Sequence, residues 1–78
     1  MPQVTEKHNM IADEVAIAAS HLATHLRGRL RDASISVEDG GVIIHGATKS
    51  YYVKQLAQEA VMKRISMPIA ANQIKVRA

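Results

Sequence analysis

Residues 35–50 read ISVEDGGVIIHGATKS, and this stretch decides the fold. Ile35 and Val37 alternate with Ser34, Ser36 and Glu38, the period-two pattern of a strand with one buried face. Asp39-Gly40-Gly41 supplies residues that tolerate positive φ, as a tight hairpin connection requires. A second strand runs from Val42 to about Thr48, with Val42, Ile44, Gly46 and Thr48 on one face and Ile43, His45 and Ala47 on the other. Pairing with Ile35 and Val37 buries Val42 and Ile44. Gly46 inside a strand marks either a bulge or the close approach of another backbone or a helix. Ser50 is placed to cap a following helix.

On the N-terminal side of the hairpin, residues 1–10 are polar without a clear period and are expected to form a flexible arm or a frayed helix. Residues 11–78 then make a single domain. Ile11, Val15, Ala19, Leu22, Leu26 and Leu30 recur at spacings of three and four and predict a helix that Asn9 caps. Asp13 and Glu14 near its start and Arg27, Arg29 and Arg31 near its end match the helix dipole in sign.

On the C-terminal side, Val53, Leu56, Ala57, Ala60 and Val61 form the buried stripe of a second helix ending near Ile65, with Tyr51, Gln55, Gln58 and Met62 outside. The segment from Ser66 to Ala71 breaks the pattern, because Pro68 cannot continue a helix. In the last strand Ile74 and Val76 alternate with Gln73, Lys75 and Arg77. The order αββαβ gives a three-stranded sheet with one apolar face to cover. Both helices belong on that face, in an α+β two-layer sandwich whose other face stays open.

A chain of 78 residues has room for one domain and buries only about 60% of the surface its unfolded form exposes. Its core is aliphatic, since Tyr51 and Tyr52 are the only aromatics. A formal charge of +3 favours acidic partners while remaining ordinary for a small domain. Without cysteine there are no disulfides and no thiolate metal sites. No apolar run reaches the ~20 residues that span a bilayer. The first residues lack the features of a secretory signal, so a cytoplasmic location is the default, with envelope association through the surface as the exception.

The succession resembles the BON domain, a small module of bacterial osmotic-stress and nodulation proteins. The likeness rests on Ile35, Val37, Asp39-Gly40, Val42, Ile44, Gly46, Thr48 and Ser50, then on Ala57, Ala60 and Val61, and finally on Asn72, Ile74 and Val76. It covers roughly residues 18–78. The family carries a Gly-Val pair after the second helix and a Val two residues before the Asn, where this chain has Ser66-Met67 and Ala70, and Gly41 is an extra glycine in the turn. The resemblance implies a bacterial, non-enzymatic module that associates with membranes or phospholipids, is often found in the envelope and in stress responses, and is often repeated or fused to other domains.

Candidate chemistry is sparse. His21 and His25, spaced i, i+4, share a helical flank and offer two ligands for a transition metal. The rest of a coordination shell is missing, so they are expected at the surface or the edge of the core. His45, alone on a strand, has no nucleophile or orienter to work with, and no phosphate-loop glycine spacing occurs. No catalytic residue, cofactor or metal is therefore expected. The basic composition and a partial likeness to KH domains raise nucleic acid as a partner. The absent Gly-x-x-Gly loop and absent stacking aromatics argue against it.

Two surfaces remain. Ile43, His45, Lys75 and Arg77 meet on the open sheet face if the last strand neighbours the hairpin, and they suit an anionic phospholipid or another protein, including a second copy in a homo-oligomer. Arg27, Arg29, Arg31, Lys63 and Arg64 form a second, basic pole at helix ends. Asp39, Gly40, Gly46 and Ser50 are expected to serve backbone geometry.

Overall fold

A computed structural model describes the backbone of residues 2–77 and the side chains of residues 11–77. Helix α1 (Pro2–His25) is followed by strands β1 (Leu30–Glu38) and β2 (Gly41–Thr48), helix α2 (Tyr51–Arg64) and strand β3 (Ile69–Val76). The hairpin pairs as its alternation dictates, with Ile35 opposite Ile44 and Val37 opposite Val42 in an antiparallel ladder. Asp39 and Gly40 make the turn, and Gly40 takes a φ of 83° that a side chain would resist. Strand β3 joins the other side of β2 in parallel, giving the order β1-β2-β3. A parallel partner needs a crossover, and α2 provides it.

Both helices pack on one face of the sheet in an α+β fold. The core between the layers is aliphatic, and Leu22, Val42, Ile44, Val61 and Ile74 are its largest fully buried side chains. The stripe on α2 buries Val53, Ala57 and Val61, with Leu56 and Ala60 half-buried beside them. Ser50 caps that helix: its hydroxyl oxygen accepts from the Val53 N–H at 3.3 Å. Asn72 fastens β3 beneath α2, its Nδ2 donating to the Lys54 carbonyl at 3.1 Å and to Gln58 Oε1 at 3.2 Å. Glu14 does the same for α1, its Oε1 accepting from both the N–H and the hydroxyl of Ser66 at 2.9 and 3.0 Å.

Several sequence expectations are corrected. Helical backbone runs from Pro2, as the frayed-helix alternative allows, and it continues through Asn9, which therefore does not cap α1. The first helix stops at His25, because Gly28 adopts a φ of 81° and the Leu30 N–H turns back to the Leu26 carbonyl at 2.8 Å. Leu30 thus opens β1 while keeping its place in the core. Ala18, rather than Ala19, is the buried alanine among the described residues of α1, beside buried Leu22. Strand β3 starts at Ile69, inside the segment read as a connection. Val37 is 51% exposed, since it lies at the hairpin end of an edge strand with Val42 as its one sheet neighbour.

Gly46 satisfies both sequence readings, although the neighbour is a strand and not a helix. Asp32 and Ala33 together oppose it in a bulge, with Asp32 at a φ of 55°. A Cβ on Gly46 would sit 2.9 Å from Leu30 Cδ1 and 3.1 Å from the Arg31 carbonyl oxygen. Its φ of 156° adds a backbone reason for glycine. Gly41 is crowded more severely. A Cβ there would approach the Pro68 carbonyl oxygen to 2.6 Å, because that oxygen accepts from the Val42 N–H at 3.0 Å. The second glycine of the hairpin thus answers the route taken by the chain into β3.

Candidate functional site

The strands set the geometry of the site. β2 and β3 both run away from the hairpin turn and end together, where the Arg77 N–H donates to the Thr48 carbonyl at 2.8 Å. β1 starts at that same end, with Leu30 opposite Thr48 and Arg31 opposite Ala47. The first turn of α2 and the Gly28 turn after α1 also arrive there. A groove of about 790 Å³ lies between them, lined by Gly28, Arg29, Arg31, Asp32, Ala47 to Ser50, Tyr52, Val53 and Arg77.

Four cations from three separate segments, Arg29 and Arg31, Lys49, and Arg77, line this groove against one carboxylate, Asp32. All four are exposed, so their charge is carried in water and screened by salt. The floor is already satisfied: buried Thr48 accepts from the Ser50 N–H through Oγ1 at 3.3 Å. Among the described residues no buried side-chain nitrogen or oxygen lacks a partner. Tyr51 and Tyr52 stand at the same end, 71% and 67% exposed, with Lys54 Nζ lying 5.9 Å from the Tyr51 ring centroid.

The open sheet face carries the other expected surface. β3 does neighbour β2, and the register sets Ile43 between Ser36 and Ala71, His45 between Ser34 and Gln73, and Ala47 between Arg31 and Lys75. Ile43, His45 and Lys75 therefore share one face with Arg77 at its end. The centre of that face is nearly uncharged. His45 is half-buried, and its Nε2 lies 3.0 Å from Ser36 Oγ in a hydrogen bond that fixes the ring on the sheet.

The five-residue basic pole divides in two. The helices run antiparallel, as Glu14 on Ser66 at one end and Gly28 beside Tyr52 at the other require. Arg29 and Arg31 consequently join the groove at the start of α2, while Lys63 and Arg64 lie toward its far end. Arg27 is exposed and lines neither concavity. Lys49 and Tyr52 were missed as site residues. Lys49 immediately precedes the Ser50 cap, a local signal that places it at a helix start. The gathering of Lys49 with Arg77 required the parallel pairing of β2 and β3.

His21 and His25 stack with ring centroids 3.8 Å apart in a shallow groove shared with Leu56, Glu59, Lys63 and Arg64. The His25 Nδ1–H donates to the His21 carbonyl at 3.2 Å. Among the described residues no three His, Cys, Asp or Glu side chains come together as a metal shell. Burial, the Arg64 guanidinium and His25 push the His21 imidazole below its ordinary pKa.

The neutral form of His21 is thus favoured in the folded chain, and the unfolded chain binds its proton more readily. The contribution to stability is present above the unfolded value near 6.5 and is lost as pH falls from there through the lower folded value. Urea unfolding at pH 7.5 and 5.5 should show a smaller pH decrement in His21→Ala than in the parent chain. Equal decrements would exclude His21 as its source.

No family model matches the chain, and no curated protein or solved structure matches it. No described helix is long and apolar enough to cross a membrane.

Proposed function

We propose that the chain is a non-enzymatic, BON-like module that docks on anionic phospholipid through the basic end of its sheet. The observation that carries this reading is the convergence of Arg29, Arg31, Lys49 and Arg77 on one groove opposed by Asp32 alone. Lys75 lies beside Ala47 at the same end of the open face. Exposed cations near an anionic bilayer contribute about 1 kcal/mol each, so this cluster supports weak, salt-sensitive attachment without further contacts.

Arg31→Ala/Arg77→Ala is expected to weaken sedimentation with phosphatidylglycerol vesicles by about 2 kcal/mol, roughly thirtyfold in partition. Lys63→Ala/Arg64→Ala, at the other end of α2, should change it far less. Equal losses would refute docking through this pole, and failure of the parent chain to sediment at low salt would refute lipid docking altogether.

A second reading is favoured by the uncovered sheet. Ile43 and Ala71 lie on a face that no helix covers among the described residues, and β1 and β3 are both edge strands. That geometry suits docking to another protein or to a second copy. Sedimentation equilibrium of the parent chain decides the homo-oligomer version, and a monomeric mass at high concentration removes it.

A further inference from the structure

We infer that the start of α2 is the part of the molecule that enters the bilayer interface, with Tyr51 and Tyr52 as its anchors. This rests on the phospholipid reading above and adds the orientation of the docked protein. Tyr51 and Tyr52 are the only residues of the Phe, Tyr and Trp class in the chain, and neither is used by the core. Both stand mostly exposed, at 71% and 67%. Two adjacent large rings stand in water, and the sequence places them where the cations gather.

A tyrosine ring suits the headgroup layer because its body is apolar while its hydroxyl keeps a hydrogen-bond partner among water and phosphate. Tyr52 lines the basic groove with Arg29, Arg31, Lys49 and Arg77, and Tyr51 lies beside Lys54. The pair is therefore flanked by positive charge on both sides, complementary to an anionic headgroup layer. Single-stranded nucleic acid is the competing polyanion. It commonly uses rings spread across a sheet or along a channel as successive stacking platforms, and both tyrosines here belong to one helical turn, off the sheet.

The chain carries its own probe for the test. With no Trp and no Phe, tyrosine emission reports this pole and no other part of the protein. The full chain would be mixed at low salt with phosphatidylglycerol vesicles, with and without bromine on the upper acyl carbons, and sedimentation measured in parallel. Bound protein is expected to lose most of its tyrosine emission to bromine, and its accessibility to acrylamide should fall severalfold. Tyr51→Ala/Tyr52→Ala, exposed positions that folding tolerates, is expected to weaken partition by about tenfold with an unchanged far-ultraviolet circular dichroism spectrum.

Sedimentation without quenching or shielding would overturn the anchoring role while leaving phospholipid docking intact. Absence of sedimentation would overturn both. Shielding by a single-stranded oligonucleotide together with none by vesicles would assign the pole to nucleic acid and also sink the inference.

Discussion

Ile44→Ala is expected to reduce the unfolding free energy by about 2–5 kcal/mol. Ile44 is fully buried at the centre of β2, opposite Ile35 on one side and Asn72 on the other, beneath the helices. Its loss leaves a cavity that the sheet cannot close, because β2 is held by ladders on both edges. A domain of 78 residues has a total stability of roughly 4–12 kcal/mol at 0.05–0.15 kcal/mol per residue. One substitution therefore removes a large share of it. Denaturant unfolding measures the loss, and a value under about 1 kcal/mol would show that this strand does not carry the core.

Gly41→Ala is the second large effect, expected at about 1–3 kcal/mol despite adding a single methyl group. The methyl would meet the Pro68 carbonyl oxygen at 2.6 Å and the Ala70 nitrogen at 3.1 Å, both backbone atoms that cannot rotate away. Relief demands that β3 shift from β2, which breaks the Val42 N–H bond to Pro68. Amide exchange at Val42 should accelerate along with the drop in midpoint. A neutral substitution, within about 0.5 kcal/mol, would place the connection between α2 and β3 elsewhere.

The fold was legible where one residue type has one conformational use. Asp39-Gly40 marked the turn, Ser50 marked the start of α2, and the alternation of Ile35 with Val37 and of Val42 with Ile44 set the register. It was illegible where a strand departs from strict alternation. The bulge at Asp32 and Ala33 separates Leu30 from Ile35, and the irregularity around Ala70 separates Ile69 from the regular part of β3, so both strands began earlier than their patterns announced. Leu30 also fell on the period of the preceding helix by coincidence, and only the left-handed turn at Gly28 separates the two elements.

The candidate site was legible only in part, for a topological reason. Lysines and arginines at positions 29, 31, 49 and 77 share no period and no motif. They become neighbours because β1 starts where β2 and β3 end, a relation fixed by strand order and direction. The expected cluster of Arg27, Arg29 and Arg31 with Lys63 and Arg64 treated helix ends as equivalent, whereas antiparallel helices separate them. Ile43 and His45 were correctly paired with Lys75 on the open face, since side-chain alternation alone decides that once β3 adjoins β2.

The hairpin turn at the opposite end of the strands carries Glu38 and Asp39. Within the sheet itself, acid at the hairpin tip and arginine at the other tip set opposite charges at the two ends of the strands. A charged surface exerts a torque on such a body as well as a pull, and the torque acts once the two are within the Debye length of about 8 Å at physiological salt. On the phospholipid docking proposed above, the sheet would be turned before it touches, with Arg77 leading and Asp39 trailing.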